Sequence, residues 1–317
     1  MIRLYIKDLK PGDILLKQNF AVKEIVKKLS KNNTHYYTLT LSDKTGQVDA
    51  KIWADYFKDV DLENIKIGSV ISVTGKVDSF RDENQVMIEK SILVEDFDPA
   101  DYVTTSEYDI DEIYAKILDT VNSLEDAEIK KLILELLDLP EIKSKFLKTP
   151  AAMMIHHNYV GGLVVHVYEI LTLAKASMEL YPEANFSELA FGAIFHDIGK
   201  LEELDAGSLA LNMTKEGKLL GHVVQGLLLL ERCIPSSFDK NKKLRLIHMV
   251  ASHNGKKEIG APVTPSTIEA FLLSEIDNLS FKIGTFRMHL QKGEIDENGF
   301  STYSPYLGAS LVDPKTY

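Results

Sequence analysis

The sequence predicts a multidomain protein of two opposite classes: an N-terminal all-β barrel over residues 1–97, then an all-α helical bundle over residues 113–290. Three observations predict it. Residues 1–97 carry five short segments of alternating or β-branched character separated by turn residues. From Ile110 onwards the apolar residues recur at helical spacing. Between the two lies an acidic stretch, residues 98–112, that reads as a linker.

Bulk properties narrow the function classes. With 317 residues, 45% hydrophobic and 26% charged, the chain has an ordinary globular composition and enough length for one large core and one small one. A net charge of −11 excludes a generic polyanion coat. The charge is uneven, however: residues 1–97 hold 15 basic and 15 acidic groups, the remainder 21 and 32. The N-terminal part is therefore the less repulsive half for a nucleic acid. Cys233 is the single cysteine, so an intrachain disulfide and a thiolate zinc site are both ruled out, and its expected role is that of a small buried hydrophobe. No apolar run approaches the roughly 18 residues of a membrane span, and the first residues start no signal peptide. The expectation is a soluble, cytoplasmic protein without a membrane partner; a homo-oligomer stays open.

Each β segment has its own signal. Residues 21–26 alternate roughly. Residues 36–43 are rich in aromatic and β-branched side chains and turn at Asp43-Lys44-Thr45-Gly46. Residues 47–53 alternate cleanly, and residues 68–77 and 85–90 supply the last two strands. Five short strands suggest a small closed barrel. The pattern Leu39-x-Leu41-x-Asp43-x-x-Gly46-x-Val48-x-Ala50-x-Ile52-Trp53 resembles the OB-type nucleic-acid-binding domains. Such barrels hold single strands with exposed aromatics beside a cationic groove. The candidates here are Phe20, Tyr36, Trp53 and Phe80, with Lys51 and Arg81; a lysine run at Lys23, Lys27 and Lys28 adds charge.

The helical half is marked by Ile113, Ile117, Leu118, Val121 and Leu124, then by Ile129, Leu132, Ile133, Leu136 and Leu137, closed by Pro140. Further helices follow to about residue 290. Residues 291–317 lose periodicity and read as a loop or tail laid over the helical domain.

The histidines point to chemistry. Seven of nine fall between residues 156 and 253: His156, His157, His166, His196, His222, His248 and His253. Core histidines are normally scattered, so the clustering favours ligands. His196 and Asp197 stand side by side in Phe195-His196-Asp197-Ile198-Gly199-Lys200, where Gly199 reads as a helix stop. His166 lies in an apolar helical run and needs a partner there. Asp277 sits between Leu273 and Phe281 on a half-buried face, where an unpaired carboxylate is costly. Together His166, His196, Asp197 and Asp277 form a complete donor set for one divalent ion, suited to Mn, Fe, Zn or Ni.

That set resembles the signature of the HD-domain phosphohydrolases. The resemblance extends further. The barrel, the acidic linker, the His156-His157-x-x-x-Gly161-Gly162-Leu163-x-x-His166 run and Ser252-His253-x-Gly255 followed by Gly260-Ala261-Pro262 all look like the YhaM-type 3′–5′ exoribonucleases of Gram-positive bacteria. It implies a strand-shortening activity on single-stranded RNA, or on single-stranded DNA, with Mn²⁺ as the divalent cofactor. It also implies that His222 and His253 hold a second ion bridged by Asp197. Lys200 would contact the phosphate, and His156 and His157 would lie near the pocket mouth as phosphate contacts or supports. Asn254 departs from the pattern: a histidine is expected beside His253, and an amide is a poor transition-metal ligand, so one ion is expected and the second is an open question. Asp197 and Lys200 are the expected catalytic pair, with Asn254 near the substrate. Two other readings stay open: a phosphodiesterase of a small nucleotide, and a single-strand binder without activity.

Overall fold

The computed structural model describes residues 3–30, 32–80, 83–98, 101–102, 108–152, 157–205, 212–292, 295–314 and 316; the candidates Arg81 and His156 lie outside these. The chain folds as two compact units, one carrying the five strands of a barrel and one the helices with a short C-terminal hairpin.

In the first unit, β1 (Ile14–Leu29), β2 (His35–Asp43), β3 (Gly46–Trp53), β4 (Val70–Phe80) and β5 (Glu83–Val94) close a barrel in the order β1-β2-β3-β5-β4. Strand β1 closes it by serving two neighbours. Its first half pairs with β4 (Ile14↔Lys76 to Ala21↔Val70) and its second half with β2 (Ala21↔Ser42 to Leu29↔His35). Two register shifts, between Leu15 and Gln18 and between Val22 and Glu24, bend it. These bulges scramble the period-two pattern, which is why only residues 21–26 stand out in the sequence. The Asp43-Lys44-Thr45-Gly46 turn joins β2 to β3 as expected, with Asp43 opposite Gly46. Alternation then puts Val48, Ala50 and Ile52 inside, and Lys51 and Trp53 outside. Asp101 and Tyr102, assigned to the linker from sequence, pack on this unit: Asp101 pairs with Arg3 and Lys44, and Tyr102 is buried against Ala21 and Val70.

Strands β4 and β5 approach closely at Gly75. It lies at a register shift in β4, and a Cβ there would sit 2.1 Å from the Met87 carbonyl oxygen of β5. Only glycine allows that approach.

The second unit comprises α1 (Ile110–Asn122), α2 (Ala127–Asp138), α3 (Pro140–Phe146), α4 (Gly162–Ser177), α5 (Phe186–Phe195), α6 (Lys200–Glu203), α7 (Lys215–Cys233), α8 (Lys240–Ser252) and α9 (Ile268–Lys292). Side chains start several of them. Asp109, Asp126, Asn185, Thr214 and Asp239 each accept a backbone N–H in the first turn of α1, α2, α5, α7 and α8. Pro140 both ends α2 and occupies the first turn of α3. The apolar helices α4 and α5 lie at the centre, packed on each other and on α9. Cys233, expected to be buried, is half-buried beside that core. The tail expected over residues 291–317 contains a hairpin of strands Phe300–Ser304 and Ala309–Val312; strands this short leave too few alternations to read. Among the described residues no helix is long and apolar enough to cross a membrane.

Gly75→Ala should destabilise the barrel by about 1–3 kcal/mol, because the added methyl meets backbone rather than a movable side chain. The single tryptophan, Trp53, reports on the barrel, so denaturant unfolding followed by its fluorescence measures the loss; an unchanged midpoint would contradict the close approach.

Candidate metal centre

Separate helices deliver the site. His166 lies in the buried second turn of α4. Helix α5 is buried from Ser187 to Phe195, and His196 and Asp197 follow directly at its C-terminal end. Gly192 lets α5 come close to α8 and α9, since a Cβ there would lie 3.0 Å from Leu273 and from Met249. Asp277 projects from α9, His253 ends α8, and His222 follows a break in α7 at Gly221.

These residues converge on one carboxylate. Asp197 Oδ2 lies 3.4 Å from His196 Nε2 and 3.8 Å from His166 Nε2. Its other oxygen, Oδ1, lies 3.4 Å from His222 Nε2 and 3.7 Å from His253 Nε2. Two compact donor sets result, His166–His196–Asp197 and Asp197–His222–His253, and each could hold a metal ion. Asp277 Oδ1 adjoins the first, 3.2 Å from His166 Nε2 and 3.9 Å from His196 Nε2. Lys200 Nζ donates to Asp197 Oδ2.

The far side of each imidazole sets which nitrogen faces inward. His196 Nδ1 donates to the Ala193 carbonyl at 3.1 Å, and His253 Nδ1 to that of Val250 at 2.8 Å. A carbonyl can only accept, so the proton sits on Nδ1 and the Nε2 lone pair points at Asp197 in the neutral ring. His166 is oriented by a longer chain. Its Nδ1 lies 3.3 Å from Ser280 Oγ, and the Ser280 hydroxyl donates to Glu169 Oε2 at 2.9 Å. Glu169 Oε2 is 3.1 Å from His157 Nε2, and His157 Nδ1 is 2.8 Å from the Tyr159 hydroxyl. His157 thus reaches the centre through Glu169 and Ser280. Its φ of +55° is unusual for a side-chain-bearing residue.

The electrostatics fit a cation. Burial opposes ionisation of Asp197, yet Lys200 and His196 beside it hold its carboxyl well below the usual range. Burial likewise opposes ionisation of Asp277, and the neighbouring imidazoles of His166 and His196 outweigh it and lower its pKa. Burial pushes His166 down and His253 down to about 4, so both rings are neutral donors near neutral pH. His196 moves the other way: burial disfavours its proton, but the charge of Asp197 overcomes that. Ionised carboxylates and the neutral rings of His166 and His253 are the forms a divalent ion requires, and His196 would release its proton on binding one.

Asn254 is half-buried beside His253, with its amide nitrogen towards Gly260. His248 accepts the Ser266 N–H through Nε2, away from Asp197. On the barrel, Phe20 is a correction: it is fully buried, opposite Ile71 in the core, because the register shift between Leu15 and Gln18 in β1 moves the inward face to Gln18 and Phe20. Tyr36 and Trp53 are cross-strand partners with ring centroids 5.0 Å apart. Lys51 Nζ lies 5.8 Å from the Trp53 ring centre and 4.6 Å from that of Phe80. Trp53 is 36% exposed and Phe80 51%, so this aromatic patch faces solvent.

Three residues escape the sequence reading. Glu169 is three positions beyond His166, and a lone carboxylate on so apolar a helix was the available signal. Ser280 is three beyond Asp277, so it shares a helix face with it. Glu203, which bonds His222, had no signal at all.

Gly199 also differs from expectation. It does not stop a helix by a left-handed turn; its φ is −65°. It is needed because a Cβ would lie 1.8 Å from the His222 carbonyl oxygen, where α7 crosses the His196-Asp197 turn.

Barrel topology and donor set together define a class, a nucleic-acid-binding barrel coupled to a metal-dependent hydrolase. Family comparisons agree: an OB-fold nucleic acid binding domain matches residues 21–100 and the HD domain matches residues 163–282. Curated relatives match nearly end to end. Three proteins named 3′–5′ exoribonuclease YhaM are similar to this chain. That of Geobacillus sp. WCH70 is 31% identical, covering 93% of both chains. That of Oceanobacillus iheyensis is 33% identical, covering 88% of this chain and 89% of its own. That of Bacillus subtilis is 31% identical, covering 90% and 91%. The chain belongs to the YhaM family of 3′–5′ exoribonucleases.

Gly199→Ala should lower the thermal unfolding midpoint, at a cost of about 1–3 kcal/mol, by forcing α7 off the motif. A circular dichroism melt indistinguishable from wild type would show that α7 is not seated there.

Proposed function

We propose that this chain shortens single-stranded RNA from its 3′ end, by hydrolysis at a centre in which Asp197 lies between two divalent ions. One observation carries the proposal: the two oxygens of Asp197 face different imidazole pairs. His166, His196, Asp197 and Asp277 would hold one ion, and Asp197, His222 and His253 the other. Mn²⁺ is proposed as the ion because the resemblance to the YhaM-type exoribonucleases implies it, and mixed imidazole and carboxylate donors are compatible with it. When bound, such ions supply Lewis acidity that activates water and polarises the phosphoryl group.

The protein's own residues do the rest. Asp197 and Asp277 provide the negative charge that retains the cofactor. The Lys200 ammonium, already at the carboxylate, is placed to neutralise charge developing on a phosphoryl oxygen; a preorganised donor of this kind contributes roughly 3 kcal/mol to the transition state. His157 supports His166 through Glu169 and Ser280, a role we favour over direct phosphate contact. On the barrel, Tyr36, Trp53 and Phe80 would stack bases, and Lys51 would meet a phosphate. A hydrolase of small nucleotides would have no use for that patch, which favours a polymer. Placement in the cytoplasm is part of the same proposal.

Asp197→Ala should abolish Mn²⁺-dependent shortening of 5′-labelled RNA while retaining RNA binding by filter assay. A ladder of shortened products from that variant would sink the metal assignment. Trp53→Ala should weaken RNA binding roughly 10- to 100-fold, as loss of one stacking platform does; wild-type affinity would remove the patch from the account.

A further inference from the structure

Helix α7 is broken one residue before His222. Gly221 has φ +69° and ψ 163°, a conformation open in practice only to glycine, although a Cβ there would meet nothing within 4 Å. The requirement is one of backbone, not of space. Beyond the break a new helical segment starts, and the N–H of His222 is one of its unpaired first-turn donors. Glu203 accepts it: Oε1 lies 3.0 Å from His222 N, and the same oxygen lies 3.5 Å from His222 Nδ1.

Glu203 is itself fastened. It is the last residue of α6, four positions after Gly199, and its carbonyl accepts the Thr214 N–H at 2.8 Å. Gly217 packs on it so closely that a Cβ would lie 2.5 Å from the Glu203 carbonyl oxygen. Its side chain is 12% exposed. One carboxylate oxygen thus caps the restarted helix and faces the Nδ1 side of its first imidazole, leaving Nε2 towards Asp197.

We propose that Glu203, acting with the break at Gly221, is a positioning residue for the second ion: it aims His222 at Asp197 and so sets the affinity of that position separately from the first. The inference rests on the two-ion reading above. His166, His196 and His253 take their orientation from other partners, so loss of Glu203 leaves the first donor set intact. His222 is also the most exposed imidazole of the six-residue centre, at 24%, which matches a position completed by one adjustable ligand.

The test is a calorimetric titration of the full-length, metal-stripped protein with Mn²⁺, comparing wild type, Glu203→Gln, Glu203→Ala, Gly221→Ala and His222→Ala. The expected result is two classes of site in wild type. In Glu203→Ala the weaker class loses roughly 10- to 100-fold in affinity, the usual effect of removing a ligand's outer partner, and the tighter class is unchanged. Glu203→Gln keeps an acceptor for the His222 N–H and loses less; Gly221→Ala behaves like Glu203→Ala. Circular dichroism checks that each variant is folded. If His222→Ala abolishes the weaker class while Glu203→Ala binds as wild type does, the positioning role is overturned. Equal weakening of both classes in folded Glu203→Ala also overturns it. A single class in wild type, unaffected by His222→Ala, overturns the two-ion reading and this inference with it.

Discussion

Asp197 is a buried carboxylate with cationic or polar groups on both of its oxygens, and the helical unit is organised around keeping it ionised. An isolated charge in an apolar interior costs several kcal/mol even after relaxation. Here the Lys200 ammonium and the imidazoles of His196, His166, His222 and His253 surround it. The same surroundings explain why the neighbouring helices are so apolar: α4 and α5 exclude water, and a dry site strengthens each electrostatic contact within it. Where close approach is needed, glycine supplies it, at Gly192 against α8 and α9 and at Gly199 against the His222 carbonyl.

The two donor sets are built differently. Main-chain carbonyls one turn away orient His196 and His253, so those rings are set by helix geometry alone. Side chains from elsewhere orient His166 and His222. Ser280 and Glu169 hold the first; Glu203 holds the second across a helix break. Hydrogen-bonded supports of this kind raise ligand basicity and fix direction.

Much of this was legible in the sequence. The barrel was readable because β2 is rich in aromatic and β-branched residues and β3 alternates cleanly after an Asp43–Gly46 turn, and the helices because their apolar spacing is strong. His166, His196, Asp197 and Asp277 were readable because an imidazole or carboxylate in an apolar run demands a partner. The rest was hidden for physical reasons. Bulges near Lys17 and Lys23 hid the first half of β1 and made Phe20 look exposed. Ser280 looks inert until the fold brings it beside His166 from 114 positions away. Gly199 resembles a helix stop, and only the path of α7 reveals its other role. Asn254 left a second ion open from local pattern, and only the fold shows that His222 and His253 both face Asp197 Oδ1.

The central claim is that one carboxylate serves two ions. Electron paramagnetic resonance of the full-length protein titrated with Mn²⁺ tests it most directly, because ions bridged by a single carboxylate couple their spins. The account predicts that the spectrum of isolated Mn²⁺ seen at low loading gives way to an exchange-coupled spectrum as the second position fills, and that Asp197→Ala never shows it. A spectrum of isolated, non-interacting Mn²⁺ at full loading of the wild-type protein would contradict it.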